Sequence, residues 1–285
     1  MSTKTDKLLS FIPDRLYIQI KYFYHFHKFA NLKNPRTYNE KLQWLKLNDH
    51  NSIYHKLADK YEVKEYVKNI IGEEYVIKTL GLWDNFDDID FNSLPNKFVL
   101  KCTHDSGGLV VCKDKSKLVI EKAKKTINES LNTNYYYHSR EWAYKDIKPR
   151  IIAEEYIETE NGDLPDYKLF CFDGEVKALY VATDRFSKDE ETKFDFFDEN
   201  FEHLPFVNSH PNSNKTIEKP INFNKMKELA SMLTKEYTHI RADFYNINGK
   251  IYFGELTFYH MSGFQPFYPK EWDYKFGSWL EIPNK

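Results

Sequence analysis

The spacing of apolar positions divides the chain into three stretches. Up to about Asn96 the pattern is helical, with polar joints. In YEVKEYVKNIIG, Val63, Tyr66, Val67, Ile70 and Ile71 form one stripe before Gly72 stops it. In NPRTYNEKLQWLKL, Thr37 and Glu40 make a capping box behind Pro35. Residues 97–112, KFVLKCTHDSGGLVVC, instead predict two short strands around a polar loop with a Gly-Gly pair; Ile120, Ala123, Ile127 and Leu131 then return to helical spacing. Beyond Pro149 strands dominate: IIAEEYI, DYKLFCF, an Asp173-Gly174 hairpin into EVKALYVATD, and a short KFDFFD. Residues 208–221 read as loop, a helix is expected from Phe223 to Tyr237, and HIRADFYNINGKIYFGELTF is a closing hairpin.

At 285 residues the chain can be one mid-sized domain or a few closely packed lobes. Lys+Arg 41 against Asp+Glu 43 gives a formal net charge of -2, so neither a basic nucleic-acid footprint nor an acidic tail dominates. With Gly 10, Pro 11 and 17% aromatics, low-complexity disorder is excluded. No run approaches the roughly 20 apolar residues of a membrane span, and MSTKTDKLLSFIPDR lacks the features of a signal peptide. The expected location is cytoplasmic. Cys102, Cys112 and Cys171 form no CxxC pair and are expected to be small buried hydrophobes. The aromatics of KYFYHFHKF are expected to pack a helix bundle, with a carbohydrate-binding or assembly surface as the alternative; His25 and His27 lack nearby ligands for a metal.

Chemistry concentrates in the closing hairpin. Ile240, Ala242 and Phe244 point one way along HIRADFYNI, and His239, Arg241, Asp243 and Tyr245 the other. Whether Asp243 shares a face with Glu255 depends on the turn. A two-residue Asn248-Gly249 loop puts them on opposite faces; a three-residue Ile247-Asn248-Gly249 loop pairs Arg241 with Glu255 and sets Asp243 beside both. In the second case two carboxylates and an arginine converge, a set suited to Mg²⁺ and to charge developing on a phosphoryl or acyl oxygen. The competing expectation is a surface strand of solvated charges.

The loop His104-Asp105-Ser106-Gly107-Gly108 lies between strands and has no Gly-Lys-Ser/Thr, so it is not a P-loop. Its backbone N–H groups can still form an anion nest, and Lys101 ends the preceding strand where a phosphate-neutralising cation is useful. A plain hairpin loop has the same sequence features.

In their order along the chain, NPRTYNEKLQWLKL, LADKYEVKEYV, IGEEYV, LPNKFVLKCTHDSGG, PRIIAEEYI, DYKLFCFDGEVKAL, DR and IRADFYNINGKIYFGELTF with SGF resemble the TupA-like ATP-grasp proteins of polysaccharide biosynthesis. The resemblance covers nearly the whole chain. It implies an α+β ATP-grasp fold with two lobes clasping ATP-Mg: a helical region over 1–95, an N-lobe with the glycine-rich lid over 96–157, and a C-lobe with the metal hairpin over 158–285. Lys60 and Lys101 are similar to the phosphate lysines, and Ser106, Gly107 and Gly108 to the lid. Glu154, Glu155, Tyr156 and Ile157 resemble the hinge, whose backbone recognises adenine while an acidic residue holds the nucleoside. An ordinary strand would leave Glu154 solvated. Asp166 and Lys168 match ribose and phosphate contacts, Lys168 being otherwise a surface lysine. Asp243 and Glu255 match the magnesium carboxylates and Arg241 the oxyanion-stabilising arginine. The usual Glu-x-Asn is here Glu255-Leu256-Thr257, a hydroxyl in place of an amide oxygen.

The resemblance implies a carboxylate–amine ligase. A substrate carboxylate takes the γ-phosphoryl group of ATP, and an amine then displaces phosphate to leave an amide. The carboxylate it implies is a uronic acid or peptide of a cell-surface polysaccharide, the amine an amino acid or simple amine, with polysaccharide assembly enzymes as partners. Arg185 is the candidate for holding the substrate carboxylate. His104 is a candidate contact to substrate or phosphate, or else a loop cap. The alternative function is a glycosyltransferase using Asp88 and Asp90 as a DxD metal site.

Overall fold

Thr37 does cap the helix Tyr38–Asn48: its hydroxyl accepts from the Glu40 amide, and the Glu40 carboxylate accepts from the Thr37 amide. The structure is a computed structural model that describes residues 8–159, 164–185 and 190–282; the opening MSTKTDK lies outside these. The chain divides into two compact units, residues 1–13, 51–66 and 76–158 in one and 14–50, 67–75 and 159–285 in the other. Residues 1–95, grouped by sequence as one helical region, thus contribute to both units.

The first unit holds an antiparallel sheet of β1 (Thr79–Trp83), β2 (Phe98–Cys102), β3 (Leu109–Cys112) and β4 (Ile151–Glu155), in the order β1-β4-β2-β3. Alternation sorts its two faces. Phe98, Leu100 and Cys102 of β2 and Ile151 and Ala153 of β4 are buried in one core with Ala123 and Ile127 of the helix Ile120–Leu131. Lys101 and Glu154 therefore project from the opposite face. Strand β1 corrects the expectation of an all-helical stretch before Asn96. It is five residues long, none of them fully buried, and its register slips between Thr79 and Gly81, so it carries no clean alternation.

The second unit is built on β5 (Asp166–Phe172), β6 (Glu175–Thr183), β7 (Lys193–Asp198), β9 (His239–Ile247) and β10 (Lys250–Thr257), ordered β10-β9-β5-β6-β7 and antiparallel throughout. A two-stranded pair, β8 (Val207–Asn208) and β11 (Phe267–Tyr268), accompanies it. The helix Phe223–Thr234 packs on one sheet face through Met226, Leu229, Ala230 and Leu233. On the other face Tyr38 lies 6.3 Å from Phe170, and Phe276 lies 5.2 Å from it, ring centre to ring centre. The strand is buried on both sides as a result, which explains why DYKLFCF is inaccessible along its whole length.

KYFYHFHKF departs from expectation. Tyr22 is fully buried and stacks on Phe26 at 4.2 Å, but Phe23, Tyr24 and Phe29 are exposed. The three cysteines are buried thiols as expected, Cys102 pushed up to about 11 and Cys171 to about 12 by burial.

Candidate active site

In the second unit register builds a row of chemistry across four strands. Tyr180 of β6 pairs with Lys168 of β5, Lys168 with Asp243 of β9, and Asp243 with Glu255 of β10. The adjoining row is Phe170, Arg241 and Thr257. Neither turn considered from sequence produces this pairing. The loop is the two-residue Asn248-Gly249, both residues with positive φ, and it sets Phe253 opposite Phe244. A bulge at Gly254 then shifts the register by one, bringing Glu255 opposite Asp243 and Thr257 opposite Arg241. The backbone passes tightly there: a Cβ on Gly254 would lie 3.1 Å from the Asp243 carbonyl oxygen.

The charges are not solvated. Arg241 is 5% and Asp243 1% exposed, so the surface-strand alternative is ruled out. Arg241 Nε donates to Asp243 Oδ1 and its terminal nitrogen to Oδ2, both at 2.7 Å. The same nitrogen donates to Thr257 Oγ1 at 3.0 Å and reaches Glu255 Oε1 at 3.3 Å. Lys168 Nζ donates to Asp243 Oδ2 and lies 2.7 Å from Asp166 Oδ2. Arg185 also donates to Asp166, so it holds that carboxylate rather than standing apart from the cluster. Burial alone would lower the pKa values of Lys168 and Arg241; Asp166 and Asp243 outweigh this for Lys168, and Asp243 does so for Arg241, pushing both pKa values up.

Sequence reasoning did not identify the other partner of Arg241. Its second terminal nitrogen lies 3.0 Å from His260 Nδ1. A guanidinium only donates, so Nδ1 accepts and the proton sits on Nε2, which donates to Asn208 Oδ1 at 2.9 Å. The Asn208 amide nitrogen is engaged by the carbonyls of Gln265 and Pro266, which fixes the oxygen toward the histidine. Burial and the Arg241 charge hold His260 well below the ordinary histidine range, hence neutral. The isolated position of His260 in YHMSGF gave no sequence signal for this role.

The first unit gathers the lysines. Glu154 and Lys101 are diagonal neighbours on β4 and β2, since Glu154 pairs with Val99 and Lys101 with Ile152. Lys101 Nζ lies 2.7 Å from Glu154 Oε2, and Lys64, a residue not singled out from sequence, binds the other oxygen. The expected solvation of Glu154 is corrected: it is 5% exposed. Burial would raise its pKa, but Lys101 and Lys64 outweigh that and hold it at about 2. Glu155 points away and is exposed, facing Lys78 at 3.4 Å, while Tyr156 and Ile157 are half-buried beyond the strand.

Lys60 donates to the Asp105 carbonyl, tying the helical segment to the glycine loop. Ser106 and Gly107 are exposed, whereas Gly108 is buried with φ +52°, and a Cβ there would meet Ser130 Oγ at 2.4 Å. His104 is buried with Nε2 3.2 Å from the carbonyls of Ser130 and Thr133, an anchoring geometry that supports its loop-cap alternative. Asp88 and Asp90 are exposed and close turns, accepting from the Asn85 side chain and the Asn92 amide respectively.

A family described as TupA-like ATPgrasp matches residues 40–281. No curated protein matches the chain significantly. Among solved structures, D-alanine--D-alanine ligase from Bacillus anthracis complexed with ATP is 14% identical, with TM-score 0.44 over 71% of this chain and 55% of that one. L-amino acid ligase from Bacillus licheniformis is 12% identical, with TM-score 0.45 over 77% and 48%. The ATP-grasp ligase PsnB complexed with minimal precursor, Mg and ADP is 11% identical, with TM-score 0.41 over 77% and 57%. The chain spans about half the length of these structures.

Proposed function

Because the chain belongs to the TupA-like ATP-grasp family, we propose that it is an ATP-dependent carboxylate–amine ligase. The observation that carries this reading is the buried row Lys168, Asp243 and Glu255 with Arg241 bonded alongside it. This cluster is shielded from water except toward Glu255, whose side chain is 39% exposed, so a cation held at that carboxylate would let it receive a polyanionic substrate.

Asp243, Glu255 and Thr257 fit Mg²⁺ by their chemistry, since all offer hard oxygen donors and Mg²⁺ asks for only one or two carboxylates. The buried Asp166 Oδ1 has no hydrogen-bond partner and is a further oxygen available to a cation. When bound, the ion would neutralise charge on the transferring phosphates. Lys101 and Lys60 would bind phosphate oxygens, with Lys64 beside Lys101 on Glu154. Backbone N–H groups of Ser106, Gly107 and Gly108 would cover them. Glu154, Glu155, Tyr156 and Ile157 would carry the adenine and ribose, and Asp166 with Lys168 the ribose and phosphate.

A substrate carboxylate oxygen attacks the γ-phosphorus, the bond to the β–γ bridging oxygen breaks, and ADP leaves. Arg241 stabilises the charge that builds up on the oxygens in that step. An amine then attacks the acyl carbon, and phosphate departs with its proton. No protein nucleophile is required, in keeping with thiols that burial holds protonated. Arg185 and His104 are the groups nearest in character to a substrate-carboxylate site. We assign the carboxylate to a uronic acid or peptide of a cell-surface polysaccharide, with polysaccharide assembly enzymes as partners.

The test is ADP release from ATP and Mg²⁺ with pooled uronic acids and amines. ADP formed only when both are present, and lost in Asp243→Asn, supports the ligase. UDP release from a nucleotide sugar would instead establish the glycosyltransferase, whose Asp88 and Asp90 are engaged in exposed turns.

A further inference from the structure

The helix Asp14–Phe26 buries Ile18 and Tyr22 on one side and turns a second apolar face outward. Leu16, Ile20, Phe23 and Tyr24 recur at the three- and four-residue spacing of a single helical stripe. They are between 46% and 77% exposed, and Phe29 just past the helix is 65% exposed. Phe23 and Phe29 touch at 5.1 Å between ring centres, so the patch is continuous. Isolated exposed apolar residues need no explanation; five in one patch do.

The charge around the patch identifies what covers it. Residues 15–39 hold Arg15, Lys21, Lys28, Lys33 and Arg36 and none of the chain's 43 acidic side chains. Arg15, Lys28, Lys33 and Arg36 are exposed like the patch itself. A rim in which four exposed cations outnumber the single half-buried carboxylate, Asp14 at the helix start, around aromatic and aliphatic side chains is what a negatively charged lipid surface selects: rings enter at headgroup depth while cations meet phosphates. We propose that this helix and the segment to Arg36 form an in-plane membrane-binding face that takes anionic bilayers. The inference does not rest on the ligase reading. No helix among the described residues is long and apolar enough to cross a membrane, and this mode of attachment needs none.

The test is co-sedimentation of the full chain with vesicles of phosphatidylcholine alone and of phosphatidylcholine mixed equally with phosphatidylglycerol. Binding is expected to the mixed vesicles only, falling as salt is raised. The triple substitution Phe23→Ser, Tyr24→Ser, Phe29→Ser is expected to weaken it by about tenfold or more, since each ring removed takes apolar area from the interface. Lys28→Glu with Lys33→Glu is expected to do the same by reversing two charges. Both variants should keep the wild-type melting temperature, because these side chains are exposed. Absence of binding to mixed vesicles overturns the proposal, as does binding that survives both variants. A concentration-dependent dimer abolished by the triple substitution assigns the face to a second copy and overturns it equally.

Discussion

Each unit holds a carboxylate between two cations, and the two are gripped differently. Glu154 is met by Lys101 and Lys64, compact ammonium groups on flexible stems, with the Lys101 side chain 21% exposed. Asp243 is met by a guanidinium that itself has Thr257, Glu255 and His260 as further partners, and by a Lys168 that also binds Asp166. In the first arrangement Lys101 is the partly exposed member, so an arriving phosphate can draw it from Glu154 while Lys64 keeps its hold on the carboxylate. The second cannot move any member without disturbing several. In the reading proposed above, phosphate capture falls to the yielding cluster and stabilisation of developing charge to the fixed one, where preorganisation counts most.

The largest effect expected is at the fixed cluster. Asp243→Asn should lower the rate of ADP release about a thousandfold, the scale of losing a preorganised electrostatic group. It should also destabilise the fold by about 3–5 kcal/mol, because Arg241 and Lys168 are left facing one another in a buried site. Thermal melting and steady-state ADP assays check both, and near-normal stability would show the second cluster to be as yielding as the first.

Acid should separate the units. Burial lowers the pKa of His239 from 6.5 to about 4, aided by the charge of Arg241, while its Nδ1–H donates to the Cys171 carbonyl and Nε2 accepts from Tyr38. The unfolded state binds that proton first, so the stability involved is present above pH 6.5 and is lost as pH falls toward 4. For Glu154 the folded value of about 2 lies below the ordinary 4.5, so its contribution is complete above pH 4.5 and is lost as pH falls through 2. Each shift corresponds to about 3 kcal/mol. Melting temperature against pH should fall in two windows, the upper flattened in His239→Phe and the lower in Glu154→Gln. A single shared window would erase the distinction.

Removing the acceptor that steadies Arg241 comes next. His260→Ala should reduce kcat about tenfold with KM for ATP little changed, since it acts on the orientation of a charge that matters in the transition state. A change confined to KM would contradict that role. The smallest effect belongs to Thr257. Thr257→Val should lower activity by a few-fold through loss of one hydrogen bond of about 1 kcal/mol, whereas Thr257→Asn, restoring an oxygen acceptor, should remain close to wild type.

Much of this was legible in residue order. The capping box, the Asp173-Gly174 turn and the alternation of β2 and β9 are local, so sequence specifies them. The coincidence of Arg241 with Asp243 follows from period two alone. What escaped is non-local. Lys64 reaches Glu154 from a helix, and His260 reaches Arg241 from an irregular turn with Met261 and Ser262 at positive φ. Burial of Glu154 and Lys168 likewise depends on tertiary surroundings that a strand's own pattern does not contain. The exposed rings of KYFYHFHKF show the converse error, where apolar composition suggested interior packing and three of the rings face outward.

The bulge at Gly254 separates two requirements that a plain hairpin would bind together. Its turn-proximal half follows the parity set by Asn248-Gly249, and its distal half follows the opposite parity. Straightening the bulge with every residue kept would set Gly254 opposite Asp243, leave the turn-proximal pairing intact and rotate Glu255 and Thr257 to the far side of the sheet. Hairpin outline and chemistry are inherited independently here, and one residue without a side chain is the vernier that aligns them.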